Sequence, residues 1–281
     1  MDPKFHPAIA AIKSGNIDQL RSLLRDDPTL ATSRSSCSHP TLLQCLALDA
    51  VDVPNSVEMA NVLIDAGAEI NEALVAAASI NNVAVLNALL DAGGAINGAG
   101  NWSPLEESLY WGNKEATKLL LERGAAVNNL RTAAALGRVD LINYFFNTNG
   151  SLKPEAGRIS WPFTDLSRPS VQAIVSSWTH TPQEIINNAF VYACMHNQLE
   201  AAQLLLDRGA EINTIPPGFD YAGTGLHYAA LNGHKSMVEF LIAHGADPTI
   251  KDTKVSSQPA GWADHGGHPE LKQYLELLAS S

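Results

Sequence analysis

No stretch of this sequence approaches the roughly 20 consecutive apolar residues needed to cross a bilayer, although 46% of its residues are hydrophobic. Cysteine is scarce. Cys37, Cys45 and Cys194 stand at unrelated spacings that fit neither a disulfide framework nor a zinc site. Reduced thiols in a cytoplasmic protein are therefore expected. Positive charge is also short, with 18 Lys and Arg against 29 Asp and Glu and a net charge of −11. No basic cluster interrupts this balance, so most of the surface would repel a nucleic-acid backbone. The stretch MDPKFHPAIAAIKSGN lacks a basic region followed by an apolar run, so no secretion signal is expected. There is no G-x-S-x-G nucleophile motif, and GAGNW and AGTG do not follow a strand as a phosphate loop would. No catalytic residue, metal or cofactor is assigned.

What the sequence does have is repetition. LHYAALNGH (226–234) matches FVYACMHNQ (190–198) and AGWADHGGH (260–268), and their first alanines are Ala193, Ala229 and Ala263. An apolar stretch follows each. A second block recurs as LIDAGAEIN, LLDAGGAIN, LLERGAAVN, FFNTNGSL, LLDRGAEIN and LIAHGADPT, with glycines at 67, 93, 124, 150, 209 and 245. Glycine there has a cause, because the residue after a helix often needs a positive φ. Periodicity near 33 residues is the sign of stacked units. TGLHYAALNGH and LIAHGADPT resemble the T-P-L-H-x-A-A-x-x-G-H and L-L-x-x-G-A-D-V-N blocks of the ankyrin repeat. The resemblance covers nearly the whole chain and implies an all-α solenoid of about eight stacked helix pairs.

The boundaries follow from the blocks. An amino-terminal unit spans 1–36, repeats span 37–152 and 181–248, an insertion lies at 153–180, and a carboxy-terminal capping unit fills 249–281 of a single solenoid. Within a repeat, VEMANVLIDAG places Val57, Ala60, Val62, Leu63 and Ile64 around an apolar face. Glycine spacings of 26 residues leave no room for the loop, or finger, that usually joins ankyrin repeats. Fingers should be missing after Asn71 and Asn128, and long at 214–223 and 249–258. In the insertion, Val171, Ile174, Val175 and Trp178 fall on one helical stripe that begins near Pro169. Thr181, Pro182 and Glu184 form a capping-box signature for the next helix. The insertion reads either as a structural patch or as a lid that turns Trp161, Phe163 and Trp178 inward.

Aligning the first helices gives a column of Ala10, Cys45, Ala76, Glu107, Thr132, Tyr192, Tyr228 and Trp262 just before the alanine pair. The resemblance implies that this column lies near the concave face. Positions after the alanine pair add Tyr110, Trp111, Met195, His196, Asn232 and His265. Aromatic residues recur at binding hot spots, yet at helical spacing they are also ordinary packing. The resemblance makes His227 a strut between neighbouring turns. Asp264, His265 and His268 suggest a metal site, but no further strong ligand accompanies them.

Two functions remain open. One is a non-enzymatic module that binds a protein or peptide partner in a concave groove through Glu107, Tyr110, Trp111, Tyr192, His196, Tyr228, Asn232, Trp262 and His265. Finger and insertion contacts from Trp161, Trp178, Phe219, Asp220 and Tyr221 would assist. The other is a small-molecule-binding protein or enzyme with a pocket between the aromatic column and residues 153–180.

Overall fold

The computed structural model describes residues 2–37, 39–98, 102–160 and 169–280. Among the described residues there are seventeen α-helices and no strand, with one isolated bridge between Phe146 and Leu152. The chain divides into two compact units, 1–126 and 127–281, described separately below. None of these helices is long and apolar enough to cross a membrane.

The first unit holds α1 (His6–Lys13), α2 (Ile17–Asp26), α3 (Leu42–Asp49), α4 (Ser56–Asp65), α5 (Asn71–Ser79), α6 (Val83–Asp91), α7 (Pro104–Tyr110) and α8 (Lys114–Glu122). The odd-numbered helices pack in succession as an inner row and the even-numbered ones as an outer row. Leu42, Leu43, Leu46, Leu74, Leu86 and Leu89 are fully buried between the rows. Each such leucine contributes roughly 1.5–3 kcal/mol. The buried stripe of α4 is Ser56, Met59, Ala60 and Leu63, whereas Val57 is exposed. Of the expected face, Ala60 and Leu63 are buried as predicted and Val57 is not, because Ser56 and Met59 take the inward positions on the first turn.

The second unit holds α9 (Leu130–Ala135), α10 (Val139–Tyr144), α11 (Pro169–Ser176), α12 (Pro182–Met195), α13 (Leu199–Asp207), α14 (Gly225–Leu231), α15 (Lys235–Ala243), α16 (Pro259–His265) and α17 (Pro269–Ala279). Here α9, α12, α14 and α16 form the inner row. The eight pairs match the repeat pattern, and α11 is the helix of the insertion. Its stripe is not a buried one. Ile174 is 48% exposed and Val171 and Val175 are half-buried, while Trp178, also half-buried, lies beyond the end of the helix at Ser176. Thr181 caps α12 in the expected box, with Glu184 returning a bond to the Thr181 amide.

Short connections set these rows. The repeat-ending glycines all adopt φ between 84° and 93°, a conformation that costs glycine least. Fingers are absent where the spacing is short, since α5 begins at Asn71 and α9 at Leu130. Polar side chains then tie each repeat to the one before it. Asn82 donates to the Ala47 carbonyl at 3.0 Å and Asn113 to the Ala78 carbonyl at 2.8 Å. In the second unit His234 Nε2 meets the Met195 carbonyl at 3.0 Å. Each bond occupies a carbonyl near the end of an inner helix that the helix itself leaves without a partner.

One glycine is required by space rather than by φ. A Cβ on Gly266 would run into the Leu231 carbonyl oxygen, part of the α14 backbone. Gly266→Ala must push α16 away from α14 and is expected to cost roughly 1–3 kcal/mol. The denaturant midpoint of the variant checks this; an unchanged midpoint would mean the two helices yield freely.

Candidate functional site

The aromatic column of the second unit lies inside the protein. Tyr192, Tyr228 and Trp262 are buried, and so is Phe219 from the 214–223 finger. Phe219 sits 5.1 Å from both Tyr192 and Tyr228, and Tyr228 meets Trp262 edge-on at 5.1 Å. The finger folds back over the inner helices, and Tyr228 Oη donates to the Tyr221 carbonyl of that finger. A wall of open aromatic faces is therefore not what these residues form. They join the finger to the helices.

The next finger is fixed by a carboxylate. Asp252 accepts from the backbone amides of Lys254 (2.9 Å), Val255 (2.7 Å) and Ser257 (2.9 Å), and from Trp262 Nε1 at 3.0 Å. Burial opposes its ionisation, but the bonds from Val255, Trp262, Lys254 and Ser257 outweigh it and hold the carboxyl at about 2. His227 completes the joint. Its Nδ1 accepts from the Thr224 amide at 3.1 Å, and its Nε2 lies 3.1 Å from the Ser257 carbonyl. Nε2 therefore carries the proton, and burial lowers the imidazole pKa, keeping the ring neutral. What this joint leaves at the surface is a tip. Tyr221 is 47% exposed, with Lys254 Nζ 3.8 Å from its ring centroid and 2.9 Å from Asp220.

The remaining positions of this unit are scattered. His196 is half-buried at the end of α12, Asn232 donates to the Tyr228 carbonyl at 2.8 Å, and His265 is exposed. Asp264 pairs with Lys272 at 3.2 Å. Trp178 meets the edge of His180 at 6.3 Å, while Trp161 and Phe163 lie outside the described residues. Beside the insertion, a cavity of about 10 Å³ lies among Asn129, Arg131, Arg158 and Asn188. An open groove of about 450 Å³ runs elsewhere, along the outer helices past Val139, Leu199, Leu204 and Phe240.

The first unit presents a different arrangement. Ser103 caps α7 in a box with Glu106. One helical turn on, Glu107 points its carboxylate into the interior and is 5% exposed. Both oxygens accept an indole N–H, one from Trp111 at 2.8 Å and the other from Trp102, just ahead of the cap. Trp111 is four residues after Glu107 and so shares its helix face. Tyr110 stands edge-on to both indoles, at 6.1 Å and 73° from Trp102 and at 5.2 Å and 81° from Trp111. Trp111 is nevertheless 47% exposed. Burial raises the Glu107 pKa to about 7; the two indole bonds offset this in part, and neighbouring Glu106 adds to it. Among the described residues, no lysine, arginine or histidine pairs with this carboxylate.

A profile described as "Ankyrin repeats (3 copies)" matches residues 47–131 and 168–252. The chain belongs to the ankyrin-repeat family. Similar stretches occur in the Ankyrin repeat and SOCS box protein 6 of Mus musculus, 36% identical over 104 residues that make up 36% of this chain and 24% of that protein. The putative E3 ubiquitin-protein ligase XBAT35 of Arabidopsis thaliana is 39% identical over 61 residues, 21% of this chain and 13% of that protein. The palmitoyltransferase AKR1 of Naumovozyma castellii is 39% identical over 88 residues, 29% of this chain and 11% of that protein. The aligned parts thus span a quarter or less of these relatives. Ankyrin repeats are general protein–protein interaction modules. In ankyrin terms His227 is the histidine of the T-P-L-H block, and Glu106 does the same capping work in α7. Trp102 and Asp252 carry no signal in the sequence pattern. Trp102 was hidden across the helix cap from Glu107, and Asp252 inside a finger without helical register.

Proposed function

We propose that the chain binds a protein or peptide partner through the inner-helix face and finger loops of its ankyrin repeats. The observation that carries this is the Glu107 cluster. The same column position in other repeats holds small residues such as Ala10, Ala76 and Thr132, so a stack of repeats does not need a carboxylate there. Raising a carboxyl from 4.5 to about 7 corresponds to about 3 kcal/mol against the folded state. That cost is spent on orienting a tryptophan that remains half in water. Strain of this kind, with no structural return, is expected where a surface is built for binding, and tryptophan is a frequent hot-spot residue.

The finger tip of Asp220, Tyr221 and Lys254 offers a second contact, with one charge of each sign around an exposed ring. The net charge of −11 favours a basic partner segment. A small-molecule pocket beside the insertion has no comparable support: Phe219 fills the space over Tyr192 and Tyr228.

The test is affinity capture from a lysate of the source organism with the intact chain, Trp111→Ala, and Leu277→Ala as a control. Leu277 is 71% exposed on α17, away from the cluster in sequence. A partner retained by the parent chain and the control but lost with Trp111→Ala is the expected result. Capture that is equal with all three would reject this face.

A further inference from the structure

We infer that the outer face of α10, α13 and α15 receives a basic segment of a partner protein, with bulky apolar side chains seated between lysines or arginines. This site lies outside the inner-face reading above, and either can fail without the other.

The floor of the site is apolar. α13 turns Ala201, Ala202 and Leu205 into the core, which leaves Leu199 and Leu204 on its outer side. With Val139 of α10 and Phe240 of α15 they line the open groove of about 450 Å³. Leu199 is 36% exposed and the other three are half-buried. His244, four residues on, steadies the Phe240 ring with centroids 4.1 Å apart. Packing does not demand a leucine at position 199, since Lys114 opens α8 and Lys235 opens α15 at the equivalent place. Single exposed apolar side chains are ordinary. A set from three helices that converges on one concavity marks an interaction surface.

The rim carries negative charge that the chain leaves unmatched. Glu200 and Asp207 both line the groove and are exposed. Being seven residues apart, they stand about 10 Å from each other along the helix. Among the described residues neither makes an ion pair, and Asp207 accepts the Gln203 amide at 2.9 Å. The cations at the ends of these three helices are engaged elsewhere. Arg138 pairs with Asp140 at 2.6 Å, Lys235 pairs with Glu239 at 3.8 Å, and Arg208 donates to Asn143 at 2.9 Å and lies over the Phe146 ring. The sequence of α8 gives the contrasting case. Aligned residue for residue, its KEATKLLLE places Lys114 and Lys118 where LEAAQLLLD of α13 has Leu199 and Gln203. Lys118 then pairs with Glu122 at 3.8 Å, whereas the matching Asp207 meets only an amide from its own helix face.

Charge selects the occupant. A second copy of the chain would bring another net charge of −11, and nucleic acid or an anionic membrane would bring phosphates. The rim repels all of these. A small molecule binds where most of its surface is enclosed, which an open groove does not provide. A segment bearing lysines or arginines satisfies the two carboxylates, while its apolar side chains cover the floor in the manner of a helix laid in a groove.

The intact chain is titrated by fluorescence anisotropy with a labelled peptide of about 14 residues, long enough as a helix to pass both carboxylates. Leucines recur in it at helical spacing and lysines flank them. Two companion peptides replace every lysine by glutamine or every leucine by serine. Saturable binding of the leucine–lysine peptide is expected, with each companion at least about tenfold weaker. Leu199→Lys with Gln203→Lys, which gives α13 the pattern of α8, should weaken binding about tenfold or more with an unchanged circular dichroism spectrum. Glu200→Gln with Asp207→Asn, at exposed positions, should weaken it likewise and carries the test if the first pair fails to fold. Glu270→Gln with Glu276→Gln, exposed on α17, makes the same change in net charge and should leave affinity within about twofold. Equal weakening by the α17 pair would reduce the binding to net charge and overturn the inference. No saturable binding, or equal binding of the lysine-free peptide, would overturn it as well. A dimer seen on sedimentation and lost with Leu199→Lys would give the groove to a second copy of the chain and likewise reject the basic segment.

Discussion

Glu107→Gln is expected to flatten the dependence of stability on pH between about pH 5 and pH 8. In the folded chain the Glu107 carboxyl lies at about 7, above its ordinary 4.5. A raised value means that the folded state holds the proton more tightly than the unfolded state. This contribution to stability is fully present below pH 4.5 and is lost as pH rises through about 7. Over that window the parent chain should lose roughly 2–3 kcal/mol from this one group. Glutamine is neutral throughout. It also turns an amide N–H₂ toward one indole N–H, which forfeits one hydrogen bond worth about 1 kcal/mol at every pH. The variant should therefore be no more stable than the parent near pH 5, yet more stable by roughly 1–2 kcal/mol near pH 8. Denaturant midpoints at the two pH values measure this. Subtracting one curve from the other removes the other titrating groups. Parallel curves would mean that Glu107 ionises normally and that its indole partners do not hold it in the interior.

Asp252→Ala is expected to be the most damaging single change in the second unit. It deprives three backbone amides and the Trp262 indole of their acceptor. Bonds to an ionised acceptor are stronger than neutral ones, and donors left buried without a partner cost most. A loss on the order of 3 kcal/mol follows, or more if Trp262 moves and the His227 bond to Ser257 fails with it. The pH dependence is opposite to that of Glu107. A depressed carboxyl contributes stability above its ordinary 3.8, lost only as pH falls through about 2. Urea melts at neutral pH give the size of the effect, and melts toward pH 2 should bring parent and variant together. A variant as stable as the parent would show that the 249–258 finger is held by other contacts.

These two carboxylates mark the limits of what the sequence disclosed. The repeat pattern was readable because units repeat the same backbone needs: glycine where φ turns positive, alanine where helices approach closely, and a capping residue before five of the eight inner helices. Thr181 and Glu184 could be placed by spacing alone, as could the missing fingers, since each depends on residues only a few positions apart. The Glu107 to Trp111 bond is also local, one helical turn apart. The fate of Tyr192, Tyr228 and Trp262 was not local. Whether those rings face water depends on where the 214–223 finger lies, and nothing in helical periodicity records that Phe219 folds across them. Asp252 escaped notice for a related reason, because its partners are backbone amides of the turn it organises and backbone amides leave no mark in a sequence. The spacing of Val171, Ile174 and Val175 matches α11, but the helix ends at Ser176, short of Trp178, and Ile174 remains half in water.

The division of labour in this chain follows from exposure and not from residue type. Buried aromatics in the second unit fasten fingers to helices, while the aromatics of the first unit surround a carboxylate whose burial costs stability. Hydroxyl-radical footprinting of the chain, alone and with a captured partner, tests this most directly, because Trp111 is both reactive and half-exposed. Labelling of Trp111 should fall severalfold in the complex while Leu277 keeps its free-state labelling. Equal labelling of Trp111 in the two states would contradict the assignment of this cluster to partner recognition.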